Sequence, residues 1–247
     1  MIHRAQHAPP QHGSRKLAPL LYLTIIVSTA AADDGSVWTV GGAVRLMKNH
    51  GSVRMVSETV RARVSTEVIE VDCVFTMKNE GTADTVLVGF PDGPIDEPGI
   101  SSFHSWVDGV AMKCRREPDA DNSDAASWWT KRVVFPRGAV RTMRDHYKVS
   151  PSWFPIGHRR SFQYILRTGA SWKGNIGSAD IVATLGGIPL GWITGTDPVA
   201  RRVGRSFSWS FRDFEPGSAD GSPSTVSVEW RLPEREWNAE GSDTLGR

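Results

Sequence analysis

The chain has 247 residues, with Lys+Arg 29 against Asp+Glu 27, 39% apolar and 23% charged residues. That balance fits a globular chain long enough to bury a core; it excludes collagen, a coiled coil, a disulfide-dense mini-protein and a largely disordered polymer. Residues 1–32 hold Arg4, Arg15 and Lys16 and no acid, so the remainder carries a formal charge of −1 instead of +2 and makes a poor electrostatic partner for nucleic acid.

The first expected element is an export signal. Leu17 to Val27 is apolar apart from Pro19 and Thr24, and Ser28-Thr29-Ala30-Ala31-Ala32 supplies an Ala-x-Ala site before Asp33-Asp34. The greasy run is too short to span a bilayer, which needs about 20 residues. A basic start, a short apolar centre and small residues at the cut describe a cleavable signal over 1–32. Nothing after Ala32 is apolar for long enough to span a membrane, so the mature chain is expected to be extracytoplasmic and not integral to the membrane.

The mature chain reads as strands. Val60, Ala62 and Val64 alternate with Arg61, Arg63 and Ser65, and Val71, Cys73, Phe75 and Met77 alternate with Asp72, Val74, Thr76 and Lys78. A period of two marks a strand with one buried face. Asn79-Glu80-Gly81 turns the chain into Thr85–Phe90, which Pro91 is expected to end. Asp108-Gly109 between Phe103–Val107 and Val110–Cys114 predicts a type I′ hairpin that pairs Val107 with Val110 and Trp106 with Ala111. Residues 117–127 are polar and turn-rich, and are expected to be a surface loop between two β units. Trp128–Phe135, Ala139–Val149, Arg160–Thr168, Ala179–Leu185, Arg205–Phe211 and Thr225–Leu232 follow as strands, separated by Gly and Pro. No stretch after residue 35 keeps helical apolar spacing for three turns. The expectation is therefore an all-β chain of antiparallel β-sandwich units, 33–118 and 119–233, packed in tandem after the signal, with a fraying tail over 234–247.

Four segments carry a resemblance. They are Met55-Val56-Ser57-Glu58-Thr59-Val60; Val71 through Pro91; Phe162 through Gly174 with Thr168-Gly169-Ala170-Ser171-Trp172-Lys173; and Trp209-Ser210-Phe211-Arg212-Asp213-Phe214-Glu215-Pro216. In this order they resemble a family of uncharacterised exported bacterial β-rich proteins, a domain of unknown function. The resemblance implies an extracytoplasmic β-rich protein and supplies no catalytic residues. Physically these motifs read as core and corner: Gly169 is free to take a positive φ at a strand end, and Trp172 is placed to close an open sandwich end with its indole N–H on a loop carbonyl.

Motifs that carry chemistry are missing from the mature sequence. There is no His-Glu-x-x-His, Cys-x-x-Cys, Gly-x-Ser-x-Gly, phosphate-binding loop or dinucleotide fingerprint, so no catalytic, metal or cofactor residue is assigned. Asp119, Asp121, Asn122 and Asp124 lack the glycine and terminal glutamate of a calcium loop and read as solvated. The scattered pairs Arg115-Arg116, Arg159-Arg160 and Arg201-Arg202 read as solvated strand ends. Cys73 and Cys114 either form one bridge, which export permits, or are two separate buried thiols. Ten Trp against three Tyr is a high tryptophan count. Trp106, which shares a face with His104, and the adjacent Trp128 and Trp129 are the candidate ligand-facing aromatics, although most Trp should fill the core. The expected function is an exported, non-catalytic envelope or surface interaction module of unidentified partner, an envelope protein or a glycan. The alternatives are a carbohydrate-binding module using exposed Trp and a secreted hydrolase whose site is assembled from distant residues.

Overall fold

Alternating apolar and polar side chains give each extended segment one face for a core and one for water, and that pattern organises nearly all of the molecule. The computed structural model describes residues 41–47, 51–93, 99–119, 125–154, 157–219 and 221–234. The strands, in chain order, are β1 (Arg45–Leu46), β2 (Val53–Val64), β3 (Ile69–Asn79), β4 (Asp84–Asp92), β5 (Ser102–Val107), β6 (Val110–Ala111), β7 (Arg115–Pro118) and β8 (Ser127–Phe135). They continue as β9 (Val140–Val149), β10 (Ser152–Phe154), β11 (Arg159–Ile165), β12 (Ile176–Leu185), β13 (Ile193–Asp197), β14 (Arg201–Val203), β15 (Ser206–Phe214) and β16 (Thr225–Arg231). The helical elements described in full are two 3-10 turns, Arg167–Ser171 and Leu190–Trp192, and Glu234 is also helical. The expected leader and its cut site, Trp38, His50, Asp121, Asn122, Asp124, Trp237 and the tail from 235 lie outside the described residues. No helix among those described is long and apolar enough to cross a membrane.

Eight strands form one sheet in the order β14-β15-β12-β2-β3-β9-β5-β6. Every pairing in it is antiparallel except β12 with β2. Two four-stranded sheets, β1-β4-β8-β7 and β10-β11-β16-β13, complete the strand set. The segment before β1 links them, through an isolated bridge from Gly42 to Ile165. Both small sheets meet the inner face of the large one, since Lys131 of β8 reaches Asp145 of β9, and Tyr164 of β11 reaches Glu58 of β2. The apolar core is continuous across all three sheets, with Phe75, Phe90, Phe135, Tyr147, Phe162 and Trp230 fully buried.

The all-β sandwich expectation holds, and the hairpin register is as predicted: Val107 pairs with Val110 and Trp106 with Ala111. Asp108 and Gly109 both have positive φ, 49° and 80°, as the type I′ turn requires. The division at residue 118 does not separate two bodies. β3 pairs with β9, β4 with β8 and β2 with β12, so strands from either side of that point share sheets. The described residues all fall within one compact unit. Parity identifies a strand's buried face but not its neighbour, which is why tandem units looked reasonable.

Three local expectations are tested directly. Trp172 donates its indole N–H to Val44 O at 2.7 Å, as the corner reading required. Gly169 is not at positive φ; it lies in a 3-10 turn, where a Cβ would stand 2.8 Å from Ile176 Cδ1, so closeness and not handedness demands glycine. Pro91 does not end its strand, because β4 continues to Asp92 with Pro91 opposite Trp128.

The Cys73–Cys114 bridge is not formed; both are free thiols. Cys73 lies on β3 and Cys114 follows β6, with β9 and β5 between these strands. The Cys114 thiol reaches Ser105 of β5, which lies two strands from Cys73 in register, and two inter-strand steps of about 4.8 Å still exceed the Cα spacing a disulfide tolerates. Burial pushes both thiols' pKa up, Cys73 most strongly, so neither is a ready thiolate. Unfolded, unreduced protein should therefore take up one alkylating group on each cysteine. A chain that reacts only after reduction would contradict the strand order.

Candidate functional site

The outer face of the eight-stranded sheet carries a row of outward charges, and its geometry follows from strand order. Parity that sends Val60, Ala62 and Val64 inward sends Arg61 and Arg63 outward. On β3 the outward residues are Glu70 and Asp72; on β9 they are Arg144, His146 and Lys148. The register sets Arg61 opposite Asp72 opposite His146 opposite His104, and Arg63 opposite Glu70 opposite Lys148. Arg61, Arg63, Glu70, Asp72, Arg144 and His146 line a groove of about 390 Å³, bounded on the β12 side by Thr184.

The two carboxylates turn toward β9. Arg144 makes a two-pronged contact with Asp72, Nε to Oδ1 at 2.9 Å and Nη2 to Oδ2 at 2.6 Å. His146 Nε2 lies 3.3 Å from Glu70 Oε1, and Lys148 Nζ lies 3.9 Å from the same oxygen. Arg61 and Arg63 are exposed and have no carboxylate within ion-pair distance among the described residues. Four fixed cations thus face two carboxylates, and the surplus positive charge sits on two guanidinium groups. Beside the groove Trp106 packs beneath Arg144, whose Cζ is 5.4 Å from the indole centroid, with the His104 ring 6.1 Å away. Planar forks with free N–H donors suit carboxylates and other flat anions. No cluster of three His, Cys, Asp or Glu among the described residues is placed to hold a metal ion.

A second groove, of about 430 Å³, lies against the β4/β8 sheet and is lined by Lys113, Arg115, Glu117, Thr130 and Arg132. Glu117 Oε2 accepts from Thr130 Oγ1 at 3.1 Å. This groove is also cationic.

The three candidate aromatics have different fates. Trp106 is half-buried on the outer face, beside the first groove. Trp128 is 1% exposed and cannot face a ligand, because Arg45 of β1 covers its ring at 5.4 Å. Trp129 faces inward, stacked on Phe103 at 5.3 Å, with its N–H donated to Asp92 Oδ2 at 2.9 Å. Trp172, Trp209 and Trp230 are buried, whereas Trp153 is 50% exposed on the short strand β10. Parity alone predicts one outward ring at 128–129; the outward one is covered by the side chain of Arg45, which sits on a strand too short to leave a periodic signal.

Inside the sandwich a polar seam crosses the core. Lys131 Nζ donates to Asp145 Oδ1 at 2.5 Å and to Ser105 Oγ at 2.6 Å, with both ends of the ion pair excluded from water. Tyr164 O–H donates to Glu58 Oε1, and Cys73 lies near both carboxylates. Burial raises the Glu58 carboxyl to about 7, against the Tyr164 hydrogen bond, which lowers it. Ser105 beside Lys131 is an arrangement that a nucleophile and base would need. Here the ammonium donates to Asp145, which leaves no lone pair for the Ser105 proton, and Ser105 is itself only 3% exposed. The seam is a device of stability. Its sequence signal was a charged residue at an inward position: Asp145 between Met143 and Tyr147, and Lys131 between Trp129 and Val133.

No protein-family model matches the chain, and no curated protein is similar to it. Among solved structures, the chain is similar to a protein of Legionella pneumophila for which nutrient binding has been suggested. The two share 18% identity over 80% of this chain and 73% of that one, at a TM-score of 0.59. A yeast (Saccharomyces cerevisiae) leukotriene A4 hydrolase aligns at 9% identity over 75% of this chain and 30% of its own, TM-score 0.46. A zinc metallopeptidase of Deinococcus radiodurans aligns at 10% over 73% and 43%, TM-score 0.41. The first likeness supports the fold; the scores of the other two are too low to bear on this chain's chemistry.

Proposed function

We propose that this protein is an exported, non-catalytic binding module that presents the outer face of its eight-stranded sheet to a ligand of the cell exterior. The observation that carries the reading is the groove over β2, β3 and β9, where Arg61 and Arg63 have no carboxylate partner among the described residues while Asp72 and Glu70 beside them are engaged. Paired charges hold the groove in shape, and unpaired ones remain for a partner, as complementary surfaces require. The cleavable leader expected at 1–32 and the motifs resembling exported β-rich proteins support a location outside the cytoplasm. The nutrient binding suggested for the Legionella protein agrees with a binding role.

The test is retention on isolated cell-envelope material at low salt. Arg61→Glu/Arg63→Glu should reduce retention by about tenfold or more, because opposed charge repels the same partner. Arg115→Glu/Arg132→Glu, an equal charge change in the second groove, should leave retention close to that of the parent. Equal losses from both variants would show that net charge, and not this face, governs retention.

A further inference from the structure

We infer that the occupant of this groove is an acidic glycan, a chain of sugar rings bearing carboxylates such as uronic acids; the inference rests on the outer-face reading above. Four observations converge on that class. Arg61 and Arg63 are two apart on one strand, so their stems emerge on the same side, about 6.7 Å apart along it. Two forks at that spacing engage two carboxylates of one extended chain. Asp72 and Glu70, occupied by Arg144, His146 and Lys148, no longer compete for those forks, and their oxygens remain available as acceptors for hydroxyl groups. The groove lies over the middle of a sheet, between β12 and β9, where backbone N–H and C=O groups are consumed by the ladders. An extended peptide gains its affinity from main-chain bonds at a sheet edge, which this surface does not offer. A ligand recognised here is read by side chains alone, and a polyhydroxylated ring with carboxylates answers to Arg, His, Thr184 and acidic acceptors together. Finally, half-buried Trp106 lies beside the groove with Arg144 over one part of its ring, and the part left uncovered is an apolar surface next to the cations for a sugar ring.

The experiment is calorimetric titration of the full chain with three probes: oligogalacturonate, its carboxyl-reduced neutral counterpart, and poly-glutamate of matched length. Oligogalacturonate should bind, more weakly as salt rises, and Arg61→Ala/Arg63→Ala should weaken it roughly 100-fold through two lost charge-assisted contacts. Trp106→Ala should weaken it by about three- to tenfold. Arg115→Ala/Arg132→Ala should leave it unchanged. These arginines are exposed, so far-UV circular dichroism and melting should match the parent for every Arg variant. Poly-glutamate binding as tightly through Arg61 and Arg63 would overturn the glycan while keeping the face. Neutral glycan binding equally, with loss only in Trp106→Ala, would overturn the acidic class while keeping the face. Binding unaffected by all outer-face variants, or no binding of oligogalacturonate, would overturn the inference; the first result would also remove the reading on which it rests.

Discussion

Lys131→Met should destabilise the protein by about 3–5 kcal/mol, the cost of leaving one member of a buried ion pair without its partner. The Lys131 side chain is 1% exposed and that of Asp145 is fully buried, so neither can turn to water when the other is removed. Asp145 Oδ2 already lacks a hydrogen-bond partner among the described residues, and the neighbouring Cys73 thiol is a weak donor. Removing the ammonium therefore strands a carboxylate between two sheets. Methionine keeps the length of the stem, so the loss reads electrostatics and not a cavity. The double variant Lys131→Met/Asp145→Val should recover most of the loss, since apolar residues of similar volume often replace a buried pair at little cost. Urea unfolding at neutral pH measures both. A single variant within about 1 kcal/mol of the parent would mean that water reaches the seam, against the stated burial.

The same seam shows what the sequence disclosed and what it withheld. Long strands were legible because β2, β3 and β9 alternate over about ten residues each, and the Asp108-Gly109 turn names its own geometry. β14, all exposed, and β7, ending in Pro118, are too short and polar to show a period. Parity also showed that Arg61, Arg63 and Asp72 point away from the core. It did not show that β9 lies beside β3, some 60 residues later, and without that adjacency Arg144 and His146 have no reason to join them. Non-local pairing is set by packing across sheets, which leaves no mark within a strand. The misplaced Trp128 has the same origin, since its roof is the two-residue strand β1. An inward charge is the exception. Glu58, Asp145 and Lys131 each interrupt an apolar parity set, a signal present in the sequence even though their partners are not.

Glu58→Gln should remove a pH dependence of stability worth about 3 kcal/mol, from a shift of a carboxyl at 4.5 to about 7 in the folded chain. Burial between β2 and β11 favours the neutral acid, and the Tyr164 hydrogen bond offsets this only in part. The sign follows from which state holds the proton. Below pH 4.5 both states are protonated and the contribution is fully present. As pH rises from 4.5 to 7 the unfolded chain ionises while the folded one resists, and stability falls. Above about 7 both are ionised, and the folded protein carries a buried carboxylate whose Oε2 has no hydrogen-bond partner among the described residues. Glutamine keeps an acceptor for Tyr164 and never ionises, so the variant should match the parent near pH 4 and exceed it by about 3 kcal/mol at pH 8. The difference between the two proteins cancels every other titrating group. Urea unfolding at pH 4, 6 and 8 reads it directly, and a gap that stays constant across that range would show that Glu58 keeps its charge in the core.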